Sequence, residues 1–332
     1  MKQKKLQSYA TKLKRLFEKV DAIFIKNGKI IDENFFYFTK LEGIWENSFL
    51  VIYPDKMQVV APPMEEGKYI VYENKEEMEK ILREMLKVDR IGFNGEALPY
   101  KDYLYLKKIT NARLFDVSKH LKRARLIKNE HEIGLIKKAC KISLHVLNEI
   151  DFENKNEMEA SAEIEYRMKR YNATPSFNTI VAFGRNTVMP HHKPGKKKFC
   201  YPFLVDLGAK YKNYCSDITR SFIKRKGKKL YEIVENALHI AIDEMLEGIK
   251  ANELYKKIEE YFEKYGLKMK HSLGHSIGIN VHDGYSINEK ANFEFKKNMV
   301  FAVEPAIYGK EYGIRIEENV VVGKNKAIVI SR

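Results

Sequence analysis

The sequence predicts a two-domain protein of mixed α+β class, with a smaller α/β domain over residues 1–120 and an α+β domain over residues 121–332. Its 332 residues suit two domains of ordinary size. Hydrophobic residues make up 44% of the chain and aromatic residues 12%, which is enough for a buried core. In the second half, the patterns run from strands to helices and back to strands. This order favours α+β over strict alternation of strands and helices.

The first 120 residues combine short apolar segments with helical stripes. A stripe with three- and four-residue spacing covers residues 6–20 and predicts a first helix. Short apolar runs between turn residues predict strands at 22–25, 35–38, 48–53, 58–61 and 90–93. Amphipathic patterns predict further helices at 75–88 and 99–109.

The charged segment 119–128, KHLKRARLIK, lacks a clear apolar face, and we place the domain boundary at residue 120 within it. A long helix with an apolar stripe over 133–147 follows. Another helix begins at Asn156, which has Glu159 three residues later as in a capping box. Strands are then expected at 176–183, 203–207 and 214–223, and helices at about 228–248 and 252–265. The last predicted strands are 299–308 and 313–322.

Composition and charge narrow the class of protein. No apolar run approaches the ~18 residues of a membrane helix, so we expect no membrane partner. The first residues lack the apolar stretch of a secretory signal, and we expect a cytoplasmic protein. The 60 Lys and Arg exceed the 45 Asp and Glu, giving a net charge of +15. Because only 13 of these cations are Arg and no nucleic-acid-binding motif occurs, we interpret them as a solvated surface and disfavour a nucleic-acid partner.

Four acids of the second half lie inside apolar, strand-like sequence. An ionised carboxylate buried without a partner is too costly to keep, so each must be neutral, ion-paired or metal-bound. A single such acid would indicate a local ion pair, but four together exceed the nearby arginines. The four are Asp206 in FLVDLGA, Asp217 in YCSDITRSF, Glu304 in VFAVEPAIY and Glu317 in GIRIEENVVV.

Histidines cluster in two short stretches of the same half. The segment HSLGHSIGINVHD contains His271, His275 and His282, while His191 and His192 follow a Met-Pro pair. An imidazole beside a carboxylate cluster completes an oxygen-rich ligand set suited to Mn²⁺, Co²⁺, Fe²⁺ or Zn²⁺. The three cysteines lack the CxxC spacing of a zinc finger and do not form an even disulfide set.

The acids and histidines, in this order and context, resemble those of the pita-bread metallopeptidases. The context is most similar to prolidase and aminopeptidase P, which cleave peptides with proline in the second position. The matching blocks are PSFNTIVAFGRNTVMPHH, VDLGAKYKNYCSDITRSF, HSLGHSIGINVHD, VEPAIY and GIRIEENV, within residues 125–330. The resemblance implies a pita-bread catalytic domain preceded by a smaller α/β creatinase-type domain. It also implies a homodimer.

The same resemblance implies a site for two divalent ions. Asp206 would bind one ion, His275 and Glu304 would bind the other, and Asp217 and Glu317 would bridge both. A hydroxide between the ions would then attack the peptide bond of a small Xaa-Pro substrate. Glu304 would carry the proton from the attacking water to the leaving amine.

The resemblance further assigns substrate contacts and supporting roles. His191 and His282 would contact the substrate carbonyl and the tetrahedral intermediate. Thr219 and Arg315 would hold the carboxylates in place. Relatives that accept only dipeptides often carry a basic residue shortly after VHD. Here VHDGYSIN offers Tyr285 and Ser286 instead, so longer peptides remain possible substrates.

Two other interpretations remain open. Among enzymes, a methionine aminopeptidase would share the ligand order, but an N-terminal domain of this size is not expected there. From another class, a catalytically inactive pita-bread protein could bind a polypeptide or RNA through the basic surface. The five intact ligand positions favour an active metallo-exopeptidase over both.

Overall fold

The computed structural model describes residues 12–225 and 227–332, which form two compact units. The first unit ends at Arg125, and the second runs from Leu126 to Arg332. The division at residue 120 into functional domains stays a prediction. The predicted first helix lies outside the described residues for its part before residue 12.

The first unit is built on a six-stranded mixed sheet. Its strands are β1 (Ala22–Asn27), β2 (Ser48–Ile52), β3 (Met57–Ala61), β4 (Ile70–Val71), β5 (Arg90–Phe93) and β6 (Arg113–Asp116). They lie in the order β4-β3-β2-β1-β5-β6, with β1 antiparallel to β2 and parallel to β5. The helices are α1 (Glu33–Thr39), α2 (Lys75–Met85), α3 (Tyr100–Ile109) and α4 (Ser118–Leu126).

The strand predicted at residues 35–38 is wrong, because FFYF forms the middle of helix α1. The side chain of Asp32 caps this helix by accepting a hydrogen bond from the Asn34 amide, and Lys40 ends it in a left-handed conformation. All four aromatic side chains are buried, so the segment shows no amphipathic period. Aromatic runs favour strands in general, but burial on every side of this short helix overrides that preference.

The second unit contains four α-helices, one 3₁₀ helix (Gly184–Val188) and thirteen strands among its described residues. The helices are α5 (Glu130–Asn148), α6 (Glu157–Arg170), α7 (Lys228–Glu244) and α8 (Ala251–Glu263). Asn129 and Asn156 cap the first two with complete capping boxes, and the one predicted at Asn156 is therefore confirmed. The strands are β7 (Thr174–Pro175), β8 (Ile180–Phe183), β9 (Phe203–Leu207), β10 (Ala209–Tyr211), β11 (Tyr214–Cys215), β12 (Ile218–Phe222), β13 (Gly274–Ser276), β14 (Ser286–Ile287), β15 (Val300–Val303), β16 (Ala306–Tyr308), β17 (Gly313–Arg315), β18 (Glu318–Val321) and β19 (Ile328–Val329).

The strands of the second unit form several small sheets. The largest has the order β14-β13-β15-β18-β19, and smaller sheets have the orders β12-β9-β8, β11-β10-β7 and β16-β17. The predicted α+β class is confirmed by this mixture of antiparallel sheets and separate helices. None of the helices in the described part of the chain is both long and apolar enough to cross a membrane.

Three runs that the sequence predicts as single strands are each divided into two strands in the structure. The run 214–223 breaks between β11 and β12, 299–308 breaks between β15 and β16, and 313–322 breaks between β17 and β18. Each break contains one candidate ligand, namely Asp217, Glu304 or Glu317. At these positions the backbone leaves the regular ladder, so the side chain is not bound to the strict up-and-down alternation of a strand.

Candidate metal centre

The candidate ligands and substrate-contacting histidines line one cavity of about 480 Å³ in the second unit. Apolar and small polar side chains, including Phe177 and Ile180, complete its walls. The structure therefore brings together residues that are separated by more than a hundred positions in the chain. The sequence-predicted residues on its walls are His191, Asp206, Asp217, His275, His282, Glu304, Arg315 and Glu317.

Strand pairing explains how the ligands meet. Val303 at the end of β15 pairs with Gly274 on β13 and with Glu318 on β18. The residue after Val303 is Glu304, and the neighbours of its two partners along the chain are His275 and Glu317. The pairing of these strands therefore places three candidate ligands next to one another at one position of the five-stranded sheet. Asp206 comes from β9, where it pairs with Thr219 on β12.

Asp217, His275 and Glu317 form the tightest group of possible ligand atoms. One atom from each lies within 4.8 Å of the other two, and all three residues are buried. Nε2 of His275 is 3.4 Å from Oδ2 of Asp217 and 3.8 Å from Oε1 of Glu304. Nδ1 of His275 lies 3.1 Å from the carbonyl oxygen of Val281. If Nδ1 donates to this carbonyl, the lone pair of Nε2 points toward the acids.

Asp206 lies at the same cavity but outside this group. Its Oδ2 accepts a 2.6 Å hydrogen bond from Nη2 of Arg315. Its Oδ1 and the Oδ1 of Asp217 are buried, and no donor among the described residues reaches either atom. Buried carboxylate oxygens normally have partners, and both residues line a cavity together with other carboxylates and imidazoles that can bind a metal ion. The donor set therefore fits hard or borderline divalent cations.

The pKa shifts of the buried acids also indicate a site for a divalent cation. Burial raises the pKa of Asp206, and the Glu304 charge adds to this while Arg315 opposes it. Burial and then the charges of neighbouring acids raise the pKa values of Asp217 and Glu317 well above the ordinary range. Without positive charge between them, these carboxyls take up protons. A divalent cation would replace those protons and keep the carboxylates ionised.

Arg315 connects several parts of the site. Its Nε donates to Oγ1 of Thr219 at 3.0 Å, and this hydroxyl donates to Oε2 of Glu317 at 2.8 Å. Nη1 donates to the Tyr308 hydroxyl at 2.8 Å. Tyr308 also lies 3.0 Å from Nε2 of His271, and burial raises its pKa to about 12. Sequence reasoning assigned no role to Tyr308, although it ends the VEPAIY block.

Asn319 is a second residue that sequence reasoning missed. Its Oδ1 accepts from the Asp217 amide at 3.1 Å, and its Nδ2 donates to the Asp217 carbonyl at 2.6 Å. The only signal in the sequence is an Asn inside the apolar run that contains Glu317. The neighbouring Glu318 accepts hydrogen bonds from Arg220 and Arg332, whereas Glu317 faces the cavity.

The two predicted substrate-contacting histidines take different positions. His282 lies beside His275, with 4.1 Å between ring centroids and the ring planes tilted by 42°. Burial and the neighbouring His275 lower the pKa of His282, which favours its neutral imidazole near pH 7. His191 is exposed on the cavity wall, so a bound peptide could reach it from solvent.

Comparison with protein families finds two matches that together span most of the chain. The model of Metallopeptidase family M24 matches residues 134–324, which is more than half of the chain. The model of the Creatinase/Prolidase N-terminal domain matches residues 5–127. The predicted pita-bread unit after a creatinase-type domain is thereby confirmed.

Similar proteins and structures are known from several organisms. An uncharacterized peptidase of Methanocaldococcus jannaschii is 40% identical over 223 residues, covering 63% of this chain and 64% of that protein. An Xaa-Pro dipeptidase of Pyrococcus horikoshii is 31% identical over 95% of both chains. The crystal structure of an X-Pro aminopeptidase from Thermotoga maritima aligns with a TM-score of 0.86 and 27% identity, over 96% of this chain and 97% of that chain.

Proposed function

This chain belongs to metallopeptidase family M24, and on that premise we propose that it is an exopeptidase that hydrolyses Xaa-Pro peptide bonds. The observation that carries the proposal is the convergence of buried acids and His275 on one cavity. Relatives named Xaa-Pro dipeptidase and X-Pro aminopeptidase support proline in the second position of the substrate. The cavity of about 480 Å³ suits a small peptide.

We propose that the cavity holds two divalent ions. Asp206 would hold one ion, His275 and Glu304 would hold the other, and Asp217 and Glu317 would contribute to both. The unpartnered Oδ1 atoms of Asp206 and Asp217 support this assignment, as do the raised pKa values of the buried acids. When bound, divalent ions acidify water and polarise a substrate carbonyl, so that hydrolysis proceeds near neutral pH.

The remaining steps belong to the side chains of this chain. The Glu304 carboxylate accepts a proton from the attacking water and passes it to the leaving proline nitrogen. His282, kept neutral by burial and by His275, donates a hydrogen bond to the oxygen on which negative charge develops. His191 binds the substrate carbonyl at the open side of the cavity. Arg315 and Thr219 fix the carboxylates through the contacts described above.

The decisive experiment measures release of the first residue from Xaa-Pro dipeptides and Xaa-Pro tripeptides, with Xaa-Ala peptides as controls. Each is tested with Mn²⁺, Co²⁺, Fe²⁺ and Zn²⁺, and bound metal is counted by mass spectrometry. We expect two ions per chain and cleavage of Xaa-Pro substrates alone. Equal cleavage of Xaa-Ala peptides would contradict the proline specificity, and release of N-terminal methionine would favour a methionine aminopeptidase.

Two substitutions distinguish an effect on metal binding from a general effect on folding. Asp217→Asn removes one proposed bridging ligand, and we expect loss of both metal occupancy and activity. Asp243→Asn changes an exposed acid of the same unit and is the matched control. Full occupancy and activity in Asp217→Asn would refute the bridging role.

We also propose that the chain forms a homodimer, as the resemblance implies, and that it acts in the cytoplasm. Light scattering coupled to size-exclusion chromatography measures the mass directly, with 77.8 kDa (about twice the 38.9 kDa of one chain) expected for the dimer. A single species at the mass of one chain would exclude it.

A further inference from the structure

A buried carboxylate that the proposed chemistry does not use lies behind the segment that carries His191. Glu157 is the first residue of α6, its side chain is 1% exposed, and Asn156 caps the helix before it. The facing segment, residues 183–195, runs from the end of β8 past His191 and is called here the histidine loop. The geometry of Glu157 ties this loop to the helix.

The Glu157 carboxylate accepts four hydrogen bonds from the histidine loop. Oε1 accepts from the Phe183 amide at 2.7 Å and from Nδ2 of Asn186 at 2.8 Å. Oε2 accepts from Nε2 of His192 at 2.8 Å and from the Gly195 amide at 3.0 Å. An ionised carboxylate has room for four donors, whereas an amide replaces half of that capacity with donors of its own. The four contacts therefore require the carboxylate itself.

Glu157 is ionised despite its burial. Burial raises the pKa of this carboxyl, but the hydrogen bonds from Phe183, His192 and Asn186 outweigh it and hold the pKa below the ordinary value. Its position in the first helical turn adds favourable contact with the positive end of the helix dipole. Charge-assisted hydrogen bonds of this kind are stronger than neutral ones. The carboxylate is thus a firm attachment point.

A second attachment reaches the loop from the other side of His191. Nη1 of Arg315 donates to the carbonyl oxygen of Pro190 at 3.2 Å. His191 consequently lies between Pro190, which is held by Arg315, and His192, which is held by Glu157. Both neighbours of the exposed His191 are fixed to buried charged groups, while its own side chain faces the cavity. Sequence analysis assigned His192 no role.

We propose that Glu157 and His192 are positioning residues that set the place of His191 at the substrate cavity. The inference rests on the proposed function, because His191 is assigned there to the substrate carbonyl. Glu157 and His192 do not line the cavity and act through the loop backbone. Loss of either tether should move His191 without removing it, and a shift of about 1 Å in a substrate-binding group can cost roughly 100-fold in rate.

The first test compares Glu157→Gln with Glu163→Gln. Glu163 lies on the same helix and pairs with Arg167 and Lys155 away from the loop, so it is the matched control. We expect Glu157→Gln to lower kcat/KM for an Xaa-Pro peptide by roughly 10- to 100-fold and Glu163→Gln to leave it unchanged. In a His191→Ala background, Glu157→Gln should add no further loss. An equal loss in both backgrounds would overturn the positioning role.

The second test uses His192, whose substitution keeps the buried carboxylate intact. His192→Gln retains an N–H donor for Oε2, whereas His192→Leu removes it. We expect His192→Gln to keep most of the activity and His192→Leu to lose about 10-fold, with the loss again absent in the His191→Ala background. Equal activity of the two variants would contradict the proposal, and this comparison stands even if Glu157→Gln fails to fold.

The third test does not depend on activity. Amide hydrogen exchange followed by mass spectrometry should show faster exchange over residues 183–195 in Glu157→Gln and His192→Leu, and no change in Glu163→Gln. Unchanged exchange would overturn the tether. If the wild-type protein cleaves no Xaa-Pro peptide while exchange responds as expected, the proposed function fails and the tether stands.

Discussion

Asp217 shows how a single side chain in this site is held in place at an electrostatic cost. Its carboxyl is buried among other acids, and its Oδ1 has no donor within the described part of the chain. In contrast, its backbone N–H and C=O groups both form hydrogen bonds with the side-chain carboxamide of Asn319. The geometry is therefore set by neutral hydrogen bonds, and the charge is left for a cation to balance.

Removing that charge should stabilise the metal-free protein. The pKa of Asp217 is raised in the folded state above the ~3.9 of an unfolded chain. Its contribution to stability is present in full below about pH 4 and is lost as the pH rises through the folded-state value. With a chelator present, Asp217→Asn should unfold at a higher temperature than the wild type at pH 7.5, and the difference should shrink at pH 5. Thermal unfolding followed by circular dichroism measures both, and a pH-independent difference would contradict the expectation.

At the scale of elements, three of the candidate ligands lie in breaks between strands and not within the strands. Six of the eight α-helices and most strands followed from apolar spacing, since burial on one face leaves a clear period. Helix α4 did not, because its charged sequence lacks a clear apolar face. The interruptions at Asp217, Glu304 and Glu317 did not, because the flanking residues remain apolar and read as one continuous strand. Helix α1 was missed for the related reason that all sides of FFYF are buried.

Strands β13 and β15 approach each other closely at Gly274. A Cβ at this position would lie 2.1 Å from the carbonyl oxygen of Ala302 on β15, so Gly274→Ala must push the strands apart. We expect a loss of roughly 1–3 kcal/mol in the free energy of unfolding. Metal affinity should also fall, because the next residue is His275. Urea unfolding and metal titration measure the two effects.

The matched control for this substitution is Gly134→Ala. Gly134 is exposed within α5, and no atom outside the helix lies within 4 Å of a Cβ placed there. Alanine at that position should raise the free energy of unfolding by roughly 0.5–1 kcal/mol. Equal destabilisation by both substitutions would argue against a specific clash at Gly274.

The buried ion pair between Lys128 and Asp283 holds the segment between β13 and β14. Nζ and Oδ2 are 3.5 Å apart, and both side chains are 1% exposed. Lys128→Met leaves a buried carboxylate and should lower the free energy of unfolding by about 3–5 kcal/mol. The double variant Lys128→Met with Asp283→Leu should lose less, because no charge remains buried. Urea unfolding checks both.

An exposed pair serves as the control for that measurement. Lys87 and Glu84 are 2.7 Å apart but remain largely exposed. Lys87→Met should change the free energy of unfolding by less than about 1 kcal/mol. A loss at Lys87 as large as that at Lys128 would show that burial is not the cause.

For the whole molecule, the order of the acids and histidines along the chain predicted the site better than any local pattern did. Asp206, Asp217, His275, Glu304 and Glu317 all line one cavity, although their roles stay proposals. Tyr308 and Asn319 were not predicted. Asn319 binds the backbone of Asp217, 102 positions away, and Tyr308 contacts His271, 37 positions away, so neither contact shows in a local pattern. The first unit supplies none of the described residues that line this cavity.

Metal should consequently stabilise the second unit selectively. A ligand that binds only the folded state at 100 times its Kd contributes about 2.7 kcal/mol. We expect calorimetry with added Mn²⁺ to raise the unfolding temperature, and hydrogen exchange to slow within residues 126–332. Uniform slowing across the first unit as well would contradict a site confined to the second.

The breaks between strands also have a consequence for the order of events during folding. The acids meet only after β9 and β12 contact the sheet that contains β13, β15 and β18. The hydrogen bond between Thr219 and Glu317, for example, joins residues 98 positions apart, and such distant contacts form late. A cation cannot gather its ligands before then, so it should slow unfolding while leaving the refolding rate nearly unchanged. Stopped-flow kinetics with and without Mn²⁺ would show this difference between the two rates. The ion would then stabilise the folded protein only after the strands have assembled.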